Sequence, residues 1–148
     1  MLWKFRTMTL DAADAGISGG HKAARITRIG RILRRTRGDE LPQLWNILRG
    51  DMSFVGPRPP LREYVERFPG IYGQVLRSRP GVTGLASLHY HRHEERLLAR
   101  CTTREESDRI YARLCMPTKA RLDLIYQKHA SVGFDILLVA RTVKRVLS

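Results

Sequence analysis

Cysteine is scarce in this chain. Only Cys101 and Cys115 occur, with no CxxC spacing, which argues against a disulfide framework and a cysteine-built metal site and fits reduced thiols in a cytosolic setting. Long apolar runs are missing too: no stretch reaches the roughly 18 to 20 residues of a transmembrane helix. The opening MLWKFRTMTLDAADAG has acids where a signal peptide carries its hydrophobic region, so the expectation is a chain that neither spans a membrane nor is secreted. Aromatics make up 7% of the residues, few for stacking on bases, and no recognition motif accompanies them. A specific nucleic-acid-binding module is therefore the weaker reading of the charge, and no specific nucleic acid is expected as partner.

That charge is what the sequence has in abundance. Lys and Arg outnumber Asp and Glu by 27 to 14, a net +13 with histidine neutral. The excess is spread evenly, with 13 basic and 7 acidic side chains in residues 1–74 and 14 and 7 in residues 75–148. Such a chain seeks polyanions: phosphate-bearing ligands, nucleic acid or an anionic membrane surface. With 148 residues, 43% of them hydrophobic, and no repeat or linker, residues 1–148 form one domain able to bury a core.

MLWKFRTM alternates apolar and polar residues and reads as a short strand, followed by the loop DAADAGISGG. From His21 to Arg37, Ile26, Ile29 and Leu33 recur at helical spacing, and Arg25, Arg28, Arg31, Arg34, Arg35 and Arg37 cover the remainder with no acid among them. A second helix is expected from Asp39 to about Leu48, with Leu41, Leu44, Trp45 and Leu48 as its apolar stripe, Pro42 in its first turn and Gly50 as its stop. SFVGPRPP must be an extended loop that fixes Arg58. LREYVERF reads as a short helix ended by PG, and SRPGVTGLASLHY as a turn into a strand. Residues Glu94 to Arg113 read as a charged helix, and SVGFDILLVARTVKRVLS as an apolar terminal one. The fold class expected is α+β, mostly helical with a small β component.

Asp39 and Glu40 carry the first chemical question. Acids at a helix start commonly do no more than accept hydrogen bonds from free N–H groups and oppose the macrodipole. At about 100° per residue, however, Asp39, Gln43 and Asn46 share one polar face opposite the Leu/Trp stripe, whereas Glu40 points elsewhere. The same helix start collects phosphate, flanked by Arg35 and the arginines before it and by Arg49 and Arg58 after it. A carboxylate in that field stays ionised, as a nucleophile must, and two anions can meet only if screened. A divalent cation such as Mg2+ between Asp39, Glu40 and phosphate oxygens is the economical arrangement. Spacing alone leaves the capping and the phosphoryl-transfer readings both open.

The blocks KFRTM (4–8), ITRIGRILRRT (26–36), DELPQLWNILRGDMSFVGPRP (39–59), RPGVTGLA (79–86) and LDLIYQKHASVGFDILLVARTV (122–143) resemble, in order, those of the bacterial sugar transferases, the monotopic phosphoglycosyl transferases. The resemblance implies transfer of a phosphosugar from a nucleoside diphosphate sugar, a UDP-sugar, to polyprenyl phosphate, beginning a surface polysaccharide. It implies a domain lying on the cytoplasmic face of the bacterial inner membrane. Asp39 matches the family's nucleophile, which forms a phosphosugar-aspartyl intermediate, and Glu40 its partner in metal binding or proton removal. Arg58 and Arg79 match positions for phosphate or nucleotide contacts, and Asp123 a supporting acid.

Two departures accompany the resemblance. Family members carry an apolar reentrant helix before the KFRTM block, where this chain begins; the expectation is a fragment, a late start or a chain without its anchor, and a catalytically silent remnant on a membrane or partner surface is the alternative function. The segment from Ser87 to Ala120 replaces a short family stretch. Its His89, His91 and His93 alternate, which on a strand would align three imidazoles, read here as a polar or sugar-contacting strand in preference to a zinc site. In the terminal helix, Ile136, Val139, Ala140, Val143, Val146 and Leu147 face either the core or, with Arg141, Lys144 and Arg145, a membrane interface.

Overall fold

The computed structural model describes residues 2–10 and 25–147. Helices dominate: α1 (Arg28–Arg35), a 3-10 turn (Gly38–Glu40), α2 (Gln43–Leu48), α3 (Arg62–Arg67), α4 (Pro69–Val75), α5 (Leu85–Leu98), α6 (Arg104–Ile110), a π-helical turn (Tyr111–Cys115), α7 (Met116–His129) and α8 (Val132–Leu147). Two three-residue strands, β1 (Ser53–Val55) and β2 (Gly81–Thr83), pair in parallel with Ser53 opposite Gly81 and Val55 opposite Thr83. Parallel strands need a crossover, and α3 and α4 supply it. The α+β expectation therefore holds. Among the described residues no helix is long and apolar enough to cross a membrane.

Two apolar clusters hold these elements together. Tyr64 and Tyr72 with Val75 pack from α3 and α4 onto Ala112, Met116 and Ala120. Val55 of β1, Tyr126 of α7 and Leu138 of α8 form the other, with Phe134 and Val139 beside them. The Tyr126 hydroxyl donates to Asp135 Oδ1 at 2.8 Å, and the Thr83 and Thr142 hydroxyls share a 2.7 Å hydrogen bond, so α8 is pinned to α7 and β2. Its packed face is thus Phe134, Leu138, Val139 and Thr142; Ile136, Ala140 and Val143 of the expected stripe are exposed.

Several local expectations are corrected. Residues 2–10 are an extended strap rather than a strand: one antiparallel bridge, Met8 to Ile26, joins them to the chain before α1. The loop read at residues 11–20 and the first residues of the helix read from His21 lie outside the described residues. α1 begins at Arg28 because the Thr27 hydroxyl accepts the Gly30 N–H at 2.9 Å and caps it. Pro69 opens α4 instead of ending α3, a first-turn position where proline costs no hydrogen bond. The strand read through LASLHY stops at Thr83, and Leu85 begins α5. His89, His91 and His93 are therefore helical, with His91 turned about 200° from its neighbours, and three aligned imidazoles do not form. The helix read from Glu94 to Arg113 is broken between Leu98 and Arg104, where the Thr103 hydroxyl caps α6.

The helix read from Asp39 differs most. Its first turn is 3-10, and α2 starts only at Gln43. Its apolar stripe faces outward, with Trp45 56% and Leu48 79% exposed, while Gln43 and Asn46 are buried. Polar contacts explain the inversion: Asn46 Oδ1 accepts the Trp3 N–H at 3.0 Å and Asn46 Nδ2 donates to Asp51 at 3.3 Å.

Candidate active site

Asp39 and Glu40 are 3% and 4% exposed, a burial that costs two carboxylates several kcal/mol unless cations attend them. Three elements deliver those cations. The strap crosses α1 with Thr27 N–H donating to the Thr7 carbonyl at 3.1 Å, then passes the 3-10 turn, where Phe5 N–H donates to the Asp39 carbonyl at 3.0 Å. Trp3 and Phe5 are exposed. Lys4, between them on the alternating extended backbone, turns to the acids, its Nζ 2.9 Å from Asp39 Oδ2 and 3.6 Å from Glu40 Oε1. Contrary to the helical projection, the two carboxylates share this ammonium rather than diverging.

Arg58 comes from the loop after β1, its Nη2 2.7 Å from Glu40 Oε1. The loop is set by close backbone contact: a Cβ on Gly56 would strike the Arg79 carbonyl, one on Gly81 the Gly56 nitrogen, and one on Gly84 the Gly56 carbonyl. The glycines of VGPRP and RPGVTG thus let two chain segments touch, which is what aims Arg58. Arg37 adds its guanidinium 3.5 Å from Glu40 Oε1. Its backbone takes φ 57°, the left-handed region that a non-glycine residue enters at a cost of order 1 to 3 kcal/mol. Burial pushes the Glu40 carboxyl upward, but Arg58, Arg37 and Lys4 outweigh it and hold the group below the ordinary range.

Among the described residues, Asp39 Oδ1 has no hydrogen-bond partner although it is buried. Buried acceptors are rarely left so. Asp39 lines a cleft of about 480 Å3 with Lys4, Arg34, Arg37 and Arg58 on one side and Ser87, His91, Glu94, Glu95 and Leu98 of α5 on the other. A second cavity of about 440 Å3 shares Lys4, Arg34, Arg58, Glu94 and Lys119 with the first and is lined further by Tyr64, Tyr72, Tyr111 and Asp123. Burial pushes the Asp123 carboxyl up to about 7, opposed by Lys119. Burial holds the His91 imidazole down, against the pull of Glu95.

The arrangement brings Asp39, Glu40 and Arg58 together and sets Asp123 in the adjoining cavity. Gln43 and Asn46 are buried beneath, with Asn46 holding the strap. Arg35, Arg49 and Arg79 are exposed and line neither cavity. Arg34 and Arg37, expected only as part of the basic face of α1, line the cleft where Arg35 does not. Lys4, Glu94 and Lys119 escaped the reading of the sequence; the alternation of MLWKFRTM was the available signal for Lys4, and nothing in spacing pointed to the other two. Among the described residues no three His, Cys, Asp or Glu side chains gather to hold a metal. The group can nonetheless offer an unpaired carboxylate oxygen to an electrophile within a cationic wall suited to a diphosphate.

Comparison with known proteins points the same way. The family model described as bacterial sugar transferase matches residues 1–148. The chain is 41% identical over 116 residues to a UDP-glucose:undecaprenyl-phosphate glucose-1-phosphate transferase of Klebsiella pneumoniae, covering 76% of this chain and 25% of that protein. It is 37% identical over 146 residues to a protein of the same description from Escherichia coli K12, covering 96% and 28%. To a UDP-N-acetylgalactosamine-undecaprenyl-phosphate N-acetylgalactosaminephosphotransferase of Aeromonas hydrophila it is 30% identical over 155 residues, covering 99% and 32%. The chain thus spans about a quarter to a third of the length of these relatives.

Proposed function

Because the chain belongs to the bacterial sugar transferase family, we propose that it transfers a phosphosugar from a nucleoside diphosphate sugar, a UDP-sugar, to polyprenyl phosphate. The observation that carries this reading is the unpaired, buried Oδ1 of Asp39, a residue that lines a cleft together with Lys4, Arg34, Arg37 and Arg58. Lys4 holds Oδ2 at 2.9 Å and so orients the carboxylate, leaving the lone pairs of Oδ1 for attack. Oδ1 forms a bond to the sugar-linked phosphorus, the bond from that phosphorus to the bridging oxygen breaks, and the nucleoside monophosphate leaves with the electron pair. An oxygen of polyprenyl phosphate then attacks the same phosphorus and returns the carboxylate to Asp39. Arg34, Arg37 and Arg58 stabilise the oxygens of the phosphoryl group in flight.

Asp39 and Glu40 would also hold Mg2+, since two adjacent buried carboxylates suit a hard cation that binds phosphate oxygens as well. Bound there, the ion would withdraw charge from the diphosphate. Glu40, kept ionised by Arg58, completes the pair.

Placement on an anionic membrane surface is supported by the outward apolar side chains of the strap and α2, Leu2, Trp3, Phe5, Leu44, Trp45 and Leu48, beside the exposed Ile29 and Ile32 among the arginines of α1. Apolar exposure of this extent next to basic residues suits a headgroup interface. The test is intact-protein mass after incubation with a panel of UDP-sugars and Mg2+. A phosphosugar adduct should appear on the parent and not on Asp39→Asn; an adduct that persists in Asp39→Asn overturns the assignment of the nucleophile, and a folded parent that releases no nucleoside monophosphate from any donor, with lipid present, overturns the activity.

A further inference from the structure

The cleft has two chemically opposed walls. Lys4, Arg34, Arg37 and Arg58 surround the dyad, whereas α5 presents Glu94 and Glu95 with His91. Glu94 is the more fixed of the two acids. Its Oε1 and Oε2 lie 3.1 and 3.0 Å from Lys119 Nζ, and both side chains are 17% exposed. The Lys119 ammonium also sits over the Tyr111 ring, 5.1 Å from its centroid, which restrains it from the other side. The pair borders both cavities. Glu95 is largely exposed and pairs with His91 at 3.4 Å.

Resting on the reading of Asp39 as nucleophile, we propose that the Glu94–Lys119 pair recognises the sugar of the donor and sets which sugar is accepted. Phosphoryl transfer proceeds with attacking and leaving oxygens in line, so the sugar oxygen, bonded to the same phosphorus, points sideways from that axis toward a wall of the cleft. Phosphate oxygens seek the cationic wall. The wall of α5 repels them, because its carboxylates carry the same sign, and accepts instead a neutral group with hydrogens to donate. A sugar hydroxyl is such a group. Carboxylate and ammonium side by side offer an acceptor and a donor at once, matching a hydroxyl that both gives and receives, and a hydroxyl of inverted configuration would leave one of them unmatched inside the cleft. Asp39 lines the same cleft, so on the reading of Asp39 as nucleophile the sugar lies within this space.

Titration calorimetry with UDP, UDP-glucose, UDP-galactose and UDP-N-acetylgalactosamine, each protein carrying Asp39→Asn so that no adduct forms, separates this proposal from the catalytic one, since it reads binding without turnover. The parent should bind one of the three at least tenfold more tightly than another. In Glu94→Gln that ratio should collapse toward one while UDP binds as before. If Glu94→Gln does not fold, Glu94→Gln/Lys119→Gln removes both charges together and serves the same purpose. A ratio unchanged in the variants, UDP weakened in step with the sugars, or a parent that does not distinguish the three overturns the proposal. Sugar discrimination that depends on Glu94, when the chain with Asp39 intact forms no adduct, would sustain it and sink the nucleophile instead.

Discussion

Lys4 illustrates what a single residue contributes. It is the cation paired with Asp39, and it reaches that position from a strap held to α1, the 3-10 turn and Asn46 by backbone hydrogen bonds. Breaking a buried ion pair by removing one partner costs about 3 to 5 kcal/mol, because the other charge stays behind; at a site whose lysine is partly exposed the lower end applies. Lys4→Met should therefore lower the urea midpoint, and Lys4→Met/Asp39→Asn should regain part of the loss by removing the stranded charge. A double variant as unstable as Lys4→Met would mean that Lys4 acts through packing alone. The dyad itself was legible in the sequence, since an acidic pair amid arginines is a visible anomaly. The lysine was not, because its meeting with Asp39 is a product of the strap's path, which no local pattern records.

At the scale of elements, the three glycines that join the loop after β1 to β2 make a sharper claim. A methyl at Gly56 meets backbone, which cannot swing aside, so Gly56→Ala should cost about 1 to 3 kcal/mol or more and disturb Arg58, two residues on. Gly73, within α4, has nothing near its missing Cβ; there alanine should be neutral or add about 0.5 to 1 kcal/mol, the ordinary helix preference. Thermal melts of the two variants should move in opposite directions. Element types were readable where turn chemistry was strong: α3 and α8 lie close to where the pattern put them. The pattern failed in two ways. Alternation over His89 to His93 suggested a strand within a stretch whose flanking Leu, Ala, Glu and Arg residues favour a helix. The stripe of α2 was seen, but amphipathicity reports that two faces differ, not which one meets the protein.

Over the whole molecule, that inversion bears on the proposed membrane placement. There a net charge of +13 would give long-range attraction to an anionic surface, and the exposed Trp45, Leu44 and Leu48 of α2 would give short-range burial once it is reached. Leu44→Ser/Trp45→Ser should weaken co-sedimentation with anionic vesicles at least tenfold without loss of helix content, and should do so equally at high and low salt. Loss only at low salt would place the contact in the arginines instead.

The cleft gathers Lys4, Asp39, Arg58, Glu94 and Lys119, a spread covering most of the chain. During synthesis, which adds roughly 5 to 20 residues each second, the strap, α1 and α2 emerge long before Lys119 does. The dyad and the cations beside it are thus made well before the acids of α5 and Lys119, so a nascent chain holds one half of its cleft before the facing half exists.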